Sequence, residues 1–280
     1  MANKGIVWVT GSKGYMGTAI SHGLDMSGYK VVGTDVELSL TEVDRLEAFA
    51  VEVQPDIIVN CAGIKRDATT LGNKAHAYEV NALGARNLAL ASNAVGALLV
   101  QISSDNVYAS HQHEPVNEFD MPHPDTPYGK SKRAGEFMVR DTTPDHLILR
   151  SSWVYEANHG KLKEVFDAAR NGVKCEVRTD HFTAPSSIAL YMKYLLKMLE
   201  KGARGTYHIA PTGKTSRYDF AVHALRNAGF DPTAILVPAS DPATSEDIVL
   251  ESLMLEMAGA NLPTWEEDLH NYMDRAGLLA

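Results

Sequence analysis

Residues 6–17 read Ile-Val-Trp-Val-Thr-Gly-Ser-Lys-Gly-Tyr-Met-Gly. The run opens with four apolar residues, as expected for a strand that is buried on both faces. Three glycines follow, Gly11, Gly14 and Gly17, and beyond them apolar residues recur at helical spacing. Glycine lets the backbone turn sharply and approach other groups closely. The stretch therefore predicts a strand, a tight turn and a helix that pack against each other.

The same alternation continues through the first half of the chain. Buried strands are predicted over 6–9, 30–33, 56–59, 98–102 and 146–149, and helices over 15–27, 41–53, 73–95 and 128–140. Ser39 and Thr41 offer N-cap hydroxyls to the second helix. Strands that alternate with helices indicate a parallel sheet with crossover helices. The predicted fold of residues 1–150 is thus α/β, a doubly wound parallel sheet of the Rossmann kind that binds a dinucleotide.

The second half of the chain is less regular. Helical patterns over 161–171, 188–201, 218–228 and 265–276 are separated by glycine and proline. We expect residues 151–280 to form a smaller α+β cap that mainly binds the substrate, with the chain crossing back to complete the sheet.

The glycine turn is typical of a dinucleotide site, because backbone amides at a helix start and the helix dipole attract a pyrophosphate. Asp35 follows the next strand, where a carboxylate accepts from the ribose hydroxyls of NAD and repels the extra phosphate of NADP. The sequence therefore favours NAD. NADP stays possible, because Lys13 or the pair Lys65-Arg66 could reach its extra phosphate. The predicted cofactor-binding residues are Gly11, Ser12, Lys13, Gly14, Tyr15, Met16, Gly17, Asp35, Cys61, Ala62, Gly63, Tyr128 and Lys132.

A tyrosine and a lysine stand four positions apart in Pro127-Tyr128-Gly129-Lys130-Ser131-Lys132, which places Tyr128 and Lys132 on one helix face. A tyrosine transfers a proton poorly near neutral pH unless a positive charge stabilises its phenolate, and Lys132 supplies that charge. Ser104 follows the strand over 98–102, so its hydroxyl is expected at the same edge of the sheet. We predict that Ser104, Tyr128 and Lys132 are catalytic.

Composition and charge exclude other classes of protein. The 280 residues carry a net charge of −9 and no basic stripe, so nucleic-acid binding is not expected. No apolar run approaches the roughly 20 residues that cross a bilayer, and no apolar signal core opens the sequence. The two cysteines suit a reducing compartment. Three histidines, His111, His113 and His123, do not have the spacing of metal ligands. We expect a cytoplasmic protein without membrane segments or metal.

Together these motifs resemble the extended short-chain dehydrogenase/reductase superfamily, and within it the dTDP-4-dehydrorhamnose reductase family. The resemblance runs along most of the chain, through the glycine turn and the segments 55–60, 80–82, 102–105, 128–132, 149–155 and 205–208. It is most specific at Ser104-Asp105-Asn106-Val107-Tyr108 and at Ser152-Trp153-Val154-Tyr155. The resemblance implies that Asp105, Asn106 and Trp153 face a sugar substrate.

Two departures from that family concern the substrate. Asn106 stands where the family usually has tyrosine. Residues 244–247 are Thr-Ser-Glu-Asp, where the family typically has an Arg-Pro-x-Asn run that holds a nucleotide diphosphate. Carboxylates that face a pyrophosphate are unfavourable. This part of the sequence therefore argues against a nucleotide on the substrate.

The leading functional prediction is an NAD(P)-dependent oxidoreductase that reduces the carbonyl of a small molecule, such as a 4-keto sugar or a sugar nucleotide. An epimerase or dehydratase of the same fold would use the cofactor transiently. A cofactor-binding regulatory subunit would bind it without turnover. The helix over 75–95, rich in alanine and leucine, either packs on its own sheet or buries its apolar face in a homodimer.

Overall fold

The computed structural model describes residues 4–64, 73–112 and 114–280. Its contacts divide the chain into two compact units. The first comprises Met1–Tyr108, Pro122–Arg150 and Leu196–Tyr207, and the second comprises Ala109–Met121, Ser151–Leu195 and His208–Ala280. Compared with the predicted division at residue 150, the segment 196–207 joins the first unit and 109–121 joins the second. The dinucleotide-binding and substrate-binding roles of the two parts stay predictions.

A six-stranded sheet forms the centre of the first unit. Its strands are β1 (Ile6–Thr10), β2 (Lys30–Thr34), β3 (Ile57–Asn60), β4 (Leu98–Ile102), β5 (His146–Arg150) and β10 (Gly205–His208). They lie in the order β10-β5-β4-β3-β1-β2, and the pairings among β1 to β5 are all parallel. The chain leaves β1 for β2 on one side and then crosses to β3 on the other. The predicted Rossmann-like parallel sheet is confirmed, and its reversal of strand order lies between β1 and β3.

The sheet is flanked by helices from the same unit. They are α1 (Tyr15–Met26), α2 (Val43–Val53), α3 (Lys74–Tyr78), α4 (Gly84–Val95) and α5 (Pro127–Thr142). Trp8, Ile58 and Leu99 are fully buried and form a core with Leu46 of α2 and Leu88 of α4. The indole of Trp8 donates to the Thr34 hydroxyl at 2.8 Å, so its polar atom is satisfied inside the core. Because helices cover both faces of the sheet, every side chain of a central strand is buried, which explains why these strands are continuously apolar.

Two helices differ from their predicted extents. The second begins at Val43, because the Ser39 and Thr41 hydroxyls bond each other at 2.9 Å and neither caps the helix. The helix predicted over 73–95 is interrupted by a π-helical turn, Glu79–Leu83, between α3 and α4. Such turns insert an extra residue and are frequent at functional sites. Within the described ranges, none of the helices combines the length and apolar character that crossing a membrane requires.

The second unit combines short strands with helices. Its elements are β6 (Val154–Tyr155), α6 (Gly160–Asn171), β7 (Cys175–Arg178), β8 (His181–Thr183), β9 (Ser186–Ser187), β11 (Thr215–Ser216), α8 (Arg217–Asn227), α9 (Pro232–Ile235), β12 (Leu236–Ala239), β13 (Glu246–Asp247), α10 (Leu253–Met257) and α11 (Trp265–Arg275); α7 (Ile188–Glu200) begins here and ends in the first unit. Its core contains Tyr155, Phe166, Phe220, Trp265 and Leu269. The buried Asp268 carboxylate accepts from the Ser187 amide at 2.6 Å and from the Tyr155 hydroxyl at 3.1 Å.

The segment 109–121 belongs to the second unit through backbone pairing and a half-buried carboxylate. The Gln112 amide donates to the Asp247 carbonyl at 2.9 Å and the Val116 amide to the Val249 carbonyl at 2.9 Å. Glu118 accepts from the amides of His208 at 2.8 Å and of Met254 at 3.2 Å. Burial raises the pKa of Glu118, although these amide donors oppose the rise. The carboxylate thus fixes this segment to residues that are distant in the sequence, a link that no local pattern reveals.

Candidate active site

The glycine turn brings the end of β1 against the end of β3. Gly11 has a φ of +64°, and a Cβ on it would lie 2.7 Å from the Ala62 Cα. A Cβ on Gly17 would lie 2.0 Å from the Gly11 carbonyl oxygen. Both distances are far shorter than atoms tolerate, so only glycine fits at either position. The glycines keep side chains out of this turn, so its backbone stays accessible, which is what a pyrophosphate site requires.

Replacing Gly17 by alanine is expected to lower the free energy of unfolding by about 1–3 kcal/mol, because the new methyl group overpacks rigid backbone. The matched control is Gly14→Ala, whose Cβ would lie 3.2 Å from the same Gly11 carbonyl oxygen at an ordinary φ of −72°. Urea unfolding of both variants measures the difference. Equal stability of the two would contradict the assigned role of Gly17.

Two carboxylates follow β2 beside this turn. Asp35 accepts from the Lys13 amide at 2.9 Å and from the Val36 amide at 3.0 Å. Glu37 accepts from the Asp35 amide at 2.8 Å and pairs with the Lys13 ammonium at 3.2 Å. Backbone donors lower the pKa of Glu37. Lys13 was the residue that kept NADP possible in the sequence analysis, and its ammonium is paired with the Glu37 carboxylate. The sequence analysis did not identify Glu37 as a site residue.

The loop after β3 is tied to the catalytic helix by Asn81, which lies in the π-helical turn. Its amide group accepts from the Ile64 amide at 2.8 Å and donates to the Ile64 carbonyl at 3.1 Å and to the Ser131 hydroxyl at 2.9 Å. A Cβ on Gly63 would lie 3.0 Å from the same Asn81 side chain. Asn81 was not predicted to be a site residue, although it lies in the segment 80–82 that carries part of the family resemblance, and the structure buries its side chain.

The helix that carries Tyr128 and Lys132 begins where the sequence predicts. Thr126 caps α5 by accepting from the Gly129 amide at 3.0 Å, and Pro127 occupies the first turn. A Cβ on Gly129 would lie 1.8 Å from the Asn106 carbonyl oxygen. The first turn of α5 therefore packs directly on the 3₁₀ turn Asp105–Val107, and Tyr128 lies beside the segment that contains Ser104.

Lys132 is buried, with 8% of its surface exposed, and its Nζ donates to the Ile102 carbonyl at the end of β4 at 2.7 Å. Burial lowers the pKa of Lys132 to about 8, while the Glu136 carboxylate and Cys61 oppose the fall. Burial raises the pKa of the Cys61 thiol to about 12. Lys132 therefore lies at the carboxyl end of β4, and Tyr128 precedes it by one helical turn on α5; their catalytic roles stay predictions.

The Ser104 hydroxyl is engaged locally. It donates to the Asp105 carboxylate at 2.8 Å and accepts from the Asn106 amide at 3.2 Å. The Asn106 side chain donates to the same Asp105 oxygen at 2.9 Å. The three residues that were predicted to touch substrate oxygens or the sugar thus form one turn, and they bond each other in this structure.

Trp153 lies in the second unit, where its ring packs on Phe220 with centroids 4.8 Å apart. The Arg217 guanidinium lies over the Trp153 ring, 5.3 Å from its centroid. A cation above an indole is attracted by the negative face of the ring. The predicted contact of Trp153 with substrate stays a prediction.

The acids at the end of the 244–247 segment are paired within the second unit. Asp247 binds the Lys214 ammonium at 2.7 Å. Glu246 is buried and has an oxygen 3.9 Å from the His181 Nδ1. Burial lowers the pKa of His181, so this imidazole does not neutralise Glu246 near neutral pH, and only the charge of Asp247 is compensated. The sequence argument against a nucleotide assumed two free carboxylates and is weakened for Asp247 alone.

Some predicted features fall on residues outside the described ranges. Lys65 and Arg66, which left NADP open, lie there, and so does His113 of the histidine group. Among the described residues, no three histidine, cysteine or acidic side chains are grouped as a metal ion would require.

Comparison with known proteins places the chain in a family. A family model described as the RmlD substrate binding domain matches residues 5–277. The spore coat polysaccharide biosynthesis protein SpsK of Bacillus subtilis is 31% identical over 278 residues, which cover 95% of this chain and 96% of SpsK. A dTDP-4-dehydrorhamnose reductase of Burkholderia thailandensis is 30% identical over 285 residues, covering 92% of this chain and 95% of the relative.

Solved structures of dTDP-4-dehydrorhamnose reductases match the chain over nearly its whole length. The dTDP-4-dehydrorhamnose reductase of Bacillus anthracis, in complex with NADP, superposes with a TM-score of 0.88 at 30% identity and covers 98% of this chain and 99% of that one. A dTDP-4-dehydrorhamnose reductase from Clostridium acetobutylicum gives a TM-score of 0.86 at 30% identity, covering 97% and 99%. Matches of this extent show that the chain belongs to the RmlD substrate-binding domain family.

Proposed function

We propose that the chain is an NAD(P)-dependent oxidoreductase of the short-chain dehydrogenase/reductase class that reduces the carbonyl of a nucleotide-linked 4-keto sugar. The observation that carries this proposal is the buried Lys132 on the Ile102 carbonyl, one helical turn from Tyr128. Lys132 lies at the carboxyl end of β4, which neighbours β3, and open α/β sheets bind ligands beyond the carboxyl ends of their strands, where the strand order reverses. The names of the relatives supply the substrate class.

The residues of the first unit fit a dinucleotide. The absence of side chains at Gly11 and Gly17 lets the turn approach a pyrophosphate closely, and the start of α1 adds its dipole. Asp35 and Glu37 lie where the adenosine ribose of a dinucleotide binds in such sheets. When bound, the cofactor supplies hydride to the carbonyl carbon.

Each of the three predicted catalytic residues has one task. Tyr128 donates a proton to the oxygen on which negative charge develops. Lys132 holds a positive charge near the phenol and thereby stabilises its deprotonated form. Ser104 donates to the same carbonyl oxygen, and for this its hydroxyl turns away from Asp105. Asp105, Asn106 and Trp153 are proposed to contact the sugar.

Turnover by the purified chain tests the proposal. With dTDP-4-dehydrorhamnose we expect consumption of reduced cofactor and formation of the alcohol, followed by nicotinamide absorbance and chromatography. NADH should be preferred over NADPH by about tenfold in kcat/KM or more, since a 2′-phosphate near the Asp35 and Glu37 carboxylates costs at least about 1.4 kcal/mol at typical surface separations. A preference for NADPH would contradict the assigned role of these two acids.

Other outcomes point to the alternative functions. Isomerisation of a sugar nucleotide with cofactor retained through purification would indicate an epimerase or dehydratase. Cofactor binding without turnover on a panel of carbonyl compounds, together with capture of a partner enzyme, would indicate a regulatory subunit. A cytoplasmic location and a homodimer stay predictions, and light scattering of the purified chain tests the second.

A further inference from the structure

A buried charge network lies directly behind the proposed catalytic lysine. Glu136 is fully buried, one helical turn beyond Lys132 on α5. Its Oε1 accepts from the Ser103 hydroxyl at 2.6 Å and from the Arg150 Nε at 2.9 Å. Its Oε2 accepts from Arg150 at 2.7 Å and from Arg140 at 3.2 Å. The carboxylate thus joins α5 to the ends of β4 and β5.

Arg150 is held as firmly as the carboxylate that it binds. It is 2% exposed, and its Nη1 donates to the Tyr108 hydroxyl at 2.8 Å. Burial works against ionisation of Glu136, but the Arg150 guanidinium outweighs it and holds the pKa of this carboxyl below its usual value. A charge that is fixed by four donors has one position relative to Lys132.

Glu136 is the carboxylate that acts on Lys132. Among the described residues, the groups that act on the Lys132 ammonium are Glu136 on its own helix, the Cys61 thiol at the end of β3 and the Ile102 carbonyl at the end of β4. The thiol is protonated near neutral pH, because burial raises its pKa to about 12. The negative charge that opposes the desolvation of Lys132 therefore comes from Glu136.

We propose that Glu136 is a positioning residue of this active site: clamped by Arg150, its carboxylate keeps the Lys132 ammonium protonated in the pH range of the reaction. The inference rests on the proposed function, because it gives Lys132 its role beside Tyr128. The same carboxylate accepts from Ser103, the residue before Ser104, and Lys132 donates to the carbonyl of Ile102, the residue before Ser103, so both contacts hold the end of β4.

A Glu136–Arg150 ion pair that only stabilises the fold can be distinguished by experiment from one that also acts on Lys132. If Glu136 served only to neutralise Arg150, its removal would lower stability and leave the ionisation of Lys132 unchanged. If it also acts on Lys132, removal makes the ammonium lose its proton at lower pH, because desolvation is then unopposed. The titration of Lys132 therefore separates the two roles.

The test is Glu136→Gln, which removes the charge and keeps the shape. In protein that contains lysine labelled with carbon-13 at Cε, the Lys132 signal is assigned by its loss in Lys132→Met. We expect its titration midpoint to fall by roughly 1–3 pH units in the variant, the usual effect of losing an adjacent opposite charge. Asp141→Asn is the matched control, an exposed acid on the same helix, and should leave the midpoint unchanged.

A second variant keeps the test decisive if Glu136→Gln folds poorly. The double variant Glu136→Gln/Arg150→Met removes both buried charges together, which buried pairs tolerate far better than loss of one partner. Its Lys132 midpoint should also fall. An unchanged midpoint in either folded variant would overturn the proposal.

The pH dependence of turnover gives the second readout. The alkaline limb of kcat/KM should move to lower pH by the same amount as the Lys132 midpoint, with the activity at acid pH largely retained. Failure of the proposed function is recognised separately, because the wild type would then show no turnover while the labelled lysine still reports on Glu136. A shifted midpoint with an unshifted alkaline limb would overturn the link between Glu136 and the reaction.

Discussion

Replacing Tyr128 by phenylalanine is expected to lower kcat by about 10²–10⁴-fold, the usual contribution of a positioned acid or base. Tyr128 lies one helical turn before the buried Lys132, in the turn of α5 that packs on Asp105–Val107, and it is the residue proposed to give a proton to the developing alkoxide. Phenylalanine keeps the ring and its packing. The loss should therefore fall on turnover and leave the binding of the cofactor nearly unchanged.

Steady-state kinetics and titration of NADH fluorescence measure the two effects separately. Tyr78→Phe is the control, since Tyr78 is 39% exposed on α3 and has no part in the proposed chemistry. Full activity of Tyr128→Phe would refute the assignment of the phenol. An equal loss in both variants would show that the effect is not specific to the site.

Replacing Arg150 by methionine is expected to lower the free energy of unfolding by about 3–5 kcal/mol, because it leaves the Glu136 carboxylate buried without its main partner. That loss is a large share of the about 5–15 kcal/mol that stabilises a typical domain. Arg150 is 2% exposed, so water does not replace the lost hydrogen bonds. Urea unfolding followed by circular dichroism measures the change.

Two comparisons make this result specific. Arg204 pairs with Asp145 at 3.0 Å on the surface of the same unit, with 43% of its side chain exposed, so Arg204→Met should cost below about 1 kcal/mol. Adding Glu136→Gln to Arg150→Met should restore much of the stability, because the unpaired charge is then removed. If Arg150→Met costs no more than Arg204→Met, the network is not a source of stability.

Local sequence patterns predicted the sheet well, because strands buried on both faces and helices with one apolar face leave short-range periodicities. The glycine turn could be recognised because the spacing of its glycines is itself a local pattern. Gly17 contacts the backbone of Gly11, six residues before it, and Gly11 contacts the backbone of Ala62, just after β3. The predicted start of α5 also agreed, as Thr126 and Pro127 are local start signals. The predicted start of α2 was wrong by two residues, because the Ser39 and Thr41 hydroxyls bond each other and do not cap the helix.

The pairings of charged side chains could not be predicted, because they join residues that are distant along the chain. Glu136 and Arg150 are on α5 and β5, Glu118 reaches His208 and Met254, and Asp247 binds Lys214. Composition counts these charges but does not say which ones compensate each other. For this reason the sequence gave no sign that Lys214 compensates Asp247 or that Glu37 pairs with Lys13.

The parallel sheet, the glycine turn and the spacing of Tyr128 and Lys132 can be read from the sequence, because each leaves a short-range pattern of residue types. The ionisation of Lys132 depends instead on contacts that form when the chain folds. Burial lowers the pKa of Lys132, and Glu136, fixed by Arg150 from another strand, opposes it. Desolvation and Coulomb energies depend on what surrounds a group in space, and for this site those surroundings are assembled by folding.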